Sequence, residues 1–157
     1  MLIIYKTLVF GLSIRVEGFI FAKKTSMGIF DKMFGAGDKE SKNESKVNWT
    51  ALTDISQLEV AEMESQHQLV AILKHSTRCG ISRMVLKQFE NSYDIPEDAE
   101  VKLYFLDLLS HRDISNEIAE RFKVRHESPQ LIVLQGKKVV HHSSHQDIEV
   151  QNIKDFL

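Results

Sequence analysis

The pattern of hydrophobic and polar positions from residue 47 onward alternates between two periods, one typical of strands and one typical of helices. Nearly continuous apolar runs over residues 68–75 (QLVAILKH) and 101–108 (VKLYFLDL) predict strands that are covered on both faces. Residues 47–53 (VNWTALT) predict a short edge strand. Residues 130–142 (QLIVLQGKKVVHH) predict two strands joined by a tight turn, which together form a hairpin.

Between these strands, apolar residues recur at the spacing of amphipathic helices, in segments 53–65, 81–93, 110–124 and 143–157. Thr53 is predicted to cap the first helix, and Ser110 with Asp113 has the spacing of a capping box at the start of the third. The predicted buried faces consist of Ile55, Leu58 and Met63; Met84, Val85 and Phe89; Ile114, Ile118 and Phe122; and Ile148, Ile153 and Phe156.

The resulting order of elements is β-α-β-α-β-α-β-β-α. Strands that alternate with helices pair in parallel, and a hairpin after the last crossover adds antiparallel strands. The sequence therefore predicts an α/β fold with a central mixed sheet and helices on both faces. This order of elements is that of the thioredoxin-like fold.

The region before residue 47 is predicted to lie outside this domain. Charged residues divide the apolar part of residues 1–26 into short uncharged stretches, such as TLVFGLSI and GFIFA. Both are much shorter than the roughly 20 residues needed to cross a bilayer. We expect a mis-assigned start, with Met27 as the true first residue; a secretory signal, an anchor and a plain extension stay open as alternatives. Residues 27–46 combine a short amphipathic piece (MGIFDKMF) with a charged flexible linker (GAGDKESKNESK), so the folded domain is predicted to span residues 47–157.

Composition narrows the classes of function. The 157-residue chain is 43% hydrophobic with a formal net charge of −2, which suits one globular domain and gives no reason to expect binding to nucleic acid or membrane. A single cysteine excludes an internal disulfide framework and a zinc site built from several cysteines. A reducing compartment, here the cytoplasm, is therefore the expected location.

Cys79, the only cysteine, lies in the stretch KHSTRCGIS, where a predicted buried strand is followed by a predicted helix. Functional groups of open α/β sheets gather at this edge. The free backbone N–H groups of Ile81 and Ser82, the helix dipole and the neighbouring Arg78 all favour the thiolate, and Thr77 flanks the same turn. The thiolate is the nucleophile in disulfide exchange, so this position predicts a reactive cysteine; an inert buried cysteine is the alternative.

Ser82 follows Cys79 at the spacing C-x-x-S, where a dithiol enzyme carries its second cysteine. A serine donates a hydrogen bond to a thiolate but cannot resolve a mixed disulfide, and it equally suits an ordinary helix N-terminus. Because the chain has no second cysteine, an external thiol must release Cys79 in any catalytic cycle.

The stretch KHSTRCGIS, with VNWTALT before it and SPQLIVLQGKKV after it, resembles the monothiol bacilliredoxin family of thioredoxin-fold proteins over residues 47–157. The resemblance implies a thiol-disulfide oxidoreductase without a bound cofactor, which removes bacillithiol from S-thiolated proteins through Cys79. A second molecule of the low-molecular-weight thiol would then free the cysteine. Gly80 departs from the family pattern, in which we expect proline; proline would pre-set the first helical turn, so the change bears on the redox poise.

The same resemblance marks Pro129 as a cis-proline that faces Cys79 across a substrate groove. The backbone of Ser128 would then pair with the bound substrate. An ordinary trans proline at the start of a strand is the alternative interpretation.

Other candidate residues carry weaker signals. His141, His142 and His145 occur in HHSSH without a neighbouring cluster of carboxylates or thiols, so no metal site is predicted. His75 either tunes the thiolate or is a satisfied structural histidine. Trp49 is predicted to pack at the edge of the sheet.

Two further hypotheses about function stay open. A non-catalytic binding or thiol-sensing module of the same fold would form one mixed disulfide at Cys79 and stop. A relative of the arsenate reductases is disfavoured, because only Arg78 and Arg83 lie near the cysteine in sequence to hold an oxyanion.

Overall fold

The computed structural model describes residues 47–157, so the interpretations of residues 1–26 and 27–46 concern residues outside it. In chain order the strands are β1 (Thr50–Ala51), β2 (Leu69–His75), β3 (Val101–Asp107), β4 (Gln130–Gln135) and β5 (Lys138–Ser144). The helices are α1 (Ile55–Glu64), α2 (Gly80–Ser92), α3 (Arg112–Phe122) and α4 (Gln151–Lys154), with a 3-10 turn at His145–Asp147 before the last.

One five-stranded sheet joins these elements in the order β1-β3-β2-β4-β5. Strands β1 and β2 both pair with β3 in parallel, while β4 pairs antiparallel with β2, and β5 antiparallel with β4. The predicted mixed sheet and its hairpin are therefore confirmed. Gly136 and Lys137 form the hairpin turn at φ 59° and 65°, in the left-handed region that a two-residue turn needs. The Lys137 N–H donates to Ser65 Oγ at 2.9 Å, which attaches this turn to the end of α1.

Alternate residues of the central strands face opposite sides of the sheet. Val70, Ile72 and Tyr104 belong to a core cluster that also contains Leu58 of α1 and Ile118 of α3. Helices α1 and α3 therefore cover one face of the sheet together.

An aromatic cluster occupies the other face. The ring of Trp49 lies against Phe89 of α2 and Phe105 of β3, with centroids 5.7 and 5.9 Å apart, and its indole N–H donates to Glu90 Oε1 at 2.9 Å. Since Phe105 points away from the face that holds Tyr104, helix α2 packs opposite to α1 and α3. The predictions of helices on both faces and of a packing role for Trp49 are confirmed.

The cap of α1 differs from the predicted one. Asp54, rather than Thr53, is the N-cap: its carboxylate accepts the Ser56 N–H at 2.7 Å, and Gln57 Oε1 accepts the Asp54 N–H at 3.0 Å. This reciprocal pair is a capping box, in which the longer reach of the glutamine satisfies the backbone N–H that precedes the helix.

The capping box predicted at α3 is wrong. His111 is the N-cap, and no side chain caps the helix start. The Ser110 hydroxyl donates instead to Asp107 Oδ2 at 2.8 Å, so Ser110 is engaged by the end of β3 and does not pair with Asp113.

Two methionines predicted to be buried are exposed: Met63 in α1 retains 55% of its accessible surface and Met84 in α2 retains 53%. Successive helical residues turn by about 100°, so Met84 lies more than a quarter-turn away from its buried neighbour Val85. Ile55, at the start of α1, is also 40% exposed. The buried residues are Leu58 and Ala61 in α1, and Ser82, Val85 and Phe89 in α2.

The C-terminal helix is much shorter than the predicted segment 143–157. Strand β5 continues to Ser144, and helix α4 contains only the residues Gln151–Lys154. Asn152 Oδ1 accepts a hydrogen bond from Ser143 Oγ at 3.0 Å, so the strand end and the short helix are joined locally. Of the residues predicted to be buried here, Ile148 and Ile153 are buried.

Candidate active site

Cys79 lies at the start of α2, at the edge of the sheet where β2 ends. It is the N-cap residue, with extended backbone angles of φ −97° and ψ 122°, and its side chain is partly exposed. Its N–H donates to Ser76 O at 3.1 Å, and its carbonyl accepts the Arg83 N–H at 3.2 Å, the first bond of the helix. The connecting loop is therefore tightly fixed, and the sulfur lies beside the free amides of the first helical turn.

Amide hydrogen bonds stabilise the thiolate. The backbone N–H of Ser82 is the main cause that lowers the pKa of the Cys79 thiol; desolvation opposes it, and the Ser82 hydroxyl, the Ile81 N–H and the charge of Arg83 lower it further. The amides are those expected from the sequence, but the cation differs. The charge of Arg83, one turn into the helix, lowers the pKa of the thiol, whereas Arg78 is not among the groups that lower it.

Ser82 is fully buried beneath the loop. Its oxygen accepts the Ser76 N–H at 3.4 Å, and its hydroxyl is one of the hydrogen-bonding groups that lower the pKa of the Cys79 thiol. The serine thus occupies the position of a second cysteine as a hydrogen-bond donor to the thiolate.

Gly80, the first residue of α2, is exposed, and a methyl group on its Cα would meet no atom within 4 Å among residues 47–157, apart from its chain neighbours and the backbone of its own helix. Its backbone is not in the left-handed region, so neither sterics nor conformation requires glycine here. Thr77, in the loop before the cysteine, is partly exposed and is not among the groups that lower the pKa of the Cys79 thiol.

The peptide bond between Ser128 and Pro129 is cis, as the family resemblance implied. In the antiparallel register Lys74 pairs with Gln130, which places Pro129 level with His75, at the same edge of the sheet as the cysteine. The Ser128 hydroxyl oxygen is buried without a hydrogen-bond partner among residues 47–157. The sheet therefore brings Ser128 and Pro129 to the edge where Cys79 lies.

His75 is 1% exposed, and neither of its ring nitrogens has a hydrogen-bond partner within the described part of the chain. Burial lowers its pKa, so the ring is neutral at neutral pH; it stacks against Phe105 with centroids 5.3 Å apart. The groups that lower the pKa of Cys79 do not include His75. A satisfied structural histidine is therefore the wrong description, because the buried ring nitrogens have no hydrogen-bond partner within residues 47–157.

The three histidines of HHSSH are spread along strand β5 and the 3-10 turn that follows it. The ring of His141 packs against Phe156, with centroids 6.1 Å apart, and no group of three metal-binding side chains occurs within residues 47–157.

Sequence reasoning missed a buried polar network beside this edge. Lys74 is 0% exposed; its Nζ donates to Gln130 Oε1 at 2.8 Å and contacts His126 Nδ1 at 3.0 Å. Burial lowers the pKa of Lys74 to about 8, against the opposing charge of Glu127. The signal in the sequence is the lysine itself, which interrupts an otherwise apolar strand run and so needs partners inside the fold.

Comparisons with known proteins agree on the type of protein. Residues 50–153 match the family described as monothiol bacilliredoxin BrxC. A solved structure described as a candidate oxidoreductase with a thioredoxin fold is 33% identical, with a TM-score of 0.57, and the match covers 68% of this chain and 91% of that one. Thioredoxin of Schistosoma mansoni, at 20% identity and a TM-score of 0.54, matches 70% of this chain and 96% of its own, and shares the fold. No helix within residues 47–157 is long and apolar enough to cross a membrane.

Proposed function

Because the chain belongs to the monothiol bacilliredoxin family and is a thiol oxidoreductase of thioredoxin fold, we propose that it removes a low-molecular-weight thiol, bacillithiol, from S-thiolated proteins. The proposed partners are the S-thiolated protein and the free small thiol. The cytoplasm is the proposed location, since a reaction that regenerates protein thiols suits a reducing compartment.

The reaction consists of two exchanges at one sulfur. The Cys79 thiolate attacks the small-thiol sulfur of the mixed disulfide; that S–S bond breaks, and the protein sulfur leaves with the electron pair and takes up a proton. A Cys79–small-thiol disulfide remains. A second small-thiol thiolate attacks the small-thiol sulfur of this adduct, which releases Cys79 as a thiolate and a symmetrical small-thiol disulfide.

The single observation that carries the proposal is the anion site built around the only cysteine of the chain. The Ser82 and Ile81 amides and the Ser82 hydroxyl converge on Cys79 and lower its pKa, so the attacking thiolate is more populated than in an unperturbed cysteine. They also favour departure in the second exchange, because a stabilised thiolate is a better leaving group. The serine in place of a second cysteine supports release by an external thiol rather than by an internal one.

The experiment uses a protein that carries bacillithiol as a mixed disulfide, with release followed by intact mass. With free bacillithiol in excess, the parent chain is expected to liberate many equivalents of the target per Cys79, and Cys79→Ser is expected to add nothing to the rate of free bacillithiol alone. Release of one equivalent followed by a stable Cys79 adduct would identify a thiol-sensing module instead. Release by Cys79→Ser at the parent rate would refute the proposal.

A further inference from the structure

A lysine without solvent contact in a central strand requires an explanation, because an ammonium group is removed from water only at a large free-energy penalty unless it is paired. The groups that meet Lys74 are concentrated in one short loop. Gln130 Oε1 and His126 Nδ1 accept hydrogen bonds from its ammonium group, and the negative charge of Glu127 raises its pKa. All three residues lie within the segment 126–130, which contains the bond between Ser128 and Pro129.

Gln130 extends the network to the backbone of this loop. Its Nε2 donates to the Arg125 carbonyl at 2.8 Å, and its Oε1, already bonded to Lys74, also accepts the Glu127 N–H at 3.3 Å. An ammonium group only donates, so His126 Nδ1 is the acceptor. Burial lowers the pKa of His126, and the charge of Lys74 lowers it further. The lysine and the glutamine thus hold the loop at three successive residues, 125–127.

We propose that Lys74 is a positioning residue of the thiol exchange, which fixes the loop of residues 125–129 so that the Ser128 backbone receives the S-thiolated protein segment beside Cys79. The inference rests on the proposed function and deepens it. No bond to Lys74 forms or breaks in the reaction, so the lysine acts through the loop and not on the sulfur.

The geometry separates this role from control of the thiolate. Lys74 and His75 are successive residues of β2, so their side chains lie on opposite faces of the sheet. Lys74 is on the same face as Val70 and Ile72, which α1 and α3 cover. Helix α2 and its first-turn amides lie on the other side. Lys74 is also not among the groups that lower the pKa of Cys79. Loss of the lysine should therefore weaken the binding of the protein substrate and leave the ionisation of the cysteine unchanged.

The experiment compares Lys74→Met with the double variant Lys74→Met/Gln130→Met and with Lys102→Met, a matched change on the neighbouring strand away from the loop. Lys74→Met is expected to raise KM for the S-thiolated protein at least about tenfold, equivalent to about 1.4 kcal/mol, with kcat and the pH profile of Cys79 alkylation unchanged. Lys102→Met should leave all three quantities at the parent values.

The double variant distinguishes positioning from plain stability. Replacing both members of a buried polar pair by apolar side chains removes the unpaired group that the single change leaves behind, so the thermal midpoint should exceed that of Lys74→Met. KM should stay raised, because methionines cannot hold the Arg125 carbonyl and the Glu127 amide. Recovery of KM together with the thermal midpoint would overturn the proposal, as would an unchanged KM in Lys74→Met.

Amide hydrogen exchange of residues 125–128 tests the same inference without catalysis. Exchange is expected to accelerate at least about tenfold in Lys74→Met, the same factor as in KM, and to stay fast in the double variant. If the parent chain releases no small thiol, the proposed function fails, and amide hydrogen exchange alone then tests the role of Lys74. A loop whose amides stay protected in Lys74→Met overturns the positioning role.

Discussion

Replacing Gly80 by proline is expected to stabilise the folded domain and leave the reactivity of Cys79 unchanged. Proline suits the first residue of a helix, where the N–H has no partner within the helix and φ is close to the fixed proline value. The residue before proline must be extended, and Cys79 already has φ −97° and ψ 122°. A side chain at Gly80 meets no atom within 4 Å.

The size of the stabilisation follows from the conformational freedom of the unfolded chain. A proline at a compatible site removes conformations that the unfolded glycine samples, and it stabilises by about 0.4–1 kcal/mol. For a domain of this size, that gain corresponds to a rise in Tm of roughly 2–5 °C. The Gly80 N–H, which proline lacks, is not among the donors that lower the pKa of Cys79, so the thiolate keeps its hydrogen bonds.

Two measurements check this prediction: thermal unfolding by circular dichroism, and the rate of iodoacetamide alkylation as a function of pH. The matched control is Gly80→Ala, which reduces the freedom of the unfolded chain but retains the N–H, and should also raise Tm. A lower Tm in the proline variant alone would show that the first turn of α2 does not accommodate proline, and an alkylation midpoint displaced to higher pH would show that the Gly80 N–H bonds to the sulfur. Either result would refute the reasoning.

Three further predictions follow from single contacts. Ser82→Ala removes a hydroxyl donor from the thiolate, so the midpoint of Cys79 alkylation should move to higher pH. The same change removes the hydrogen bond that Ser82 Oγ accepts from the Ser76 N–H, which should lower the free energy of unfolding, measured in urea, by about 1 kcal/mol. Because the pKa of Lys74 falls from 10.5 when unfolded to about 8 when folded, the unfolded chain binds more protons above pH 8. The unfolding free energy of the parent relative to Lys74→Met should therefore increase from pH 8 to 10, and a flat difference would contradict the assigned burial. Lys137→Asn should raise stability by a few tenths to about 1 kcal/mol in urea titrations, since asparagine tolerates the left-handed turn better than lysine; a loss would contradict the positive φ.

The sheet and the position of the cysteine could be predicted because each depends on local sequence. The apolar runs that became β2 and β3 have the length of a strand and are too hydrophobic for a surface, which favours buried strands. Cys79 then lies at a strand-to-helix junction, even if the predicted end of β2 or start of α2 is displaced by a residue or two. The cis bond before Pro129 was predicted from the family resemblance alone.

Tertiary contacts decided the features that sequence reasoning missed. Met63 and Met84 are apolar and near the predicted helix faces, but their exposure depends on where the sheet lies, which a periodic pattern locates only to within about a quarter-turn. Arg83 replaced Arg78 as the cation that acts on the sulfur because the helix turns the later residue back toward its own start. The partners of Lys74 are 52 and 56 residues away along the chain, beyond any local pattern.

The chain has one tryptophan, so its intrinsic fluorescence reports on a single position in the fold. The indole rests on Phe89 and is bonded to Glu90, two residues of the helix whose first turn carries Cys79. A change in how that helix sits, when the sulfur acquires or loses an adduct, alters the polarity and the hydrogen bond that set the emission of the ring. If an adduct on the Cys79 sulfur displaces this helix, each exchange changes the intrinsic fluorescence, with no label added to the protein.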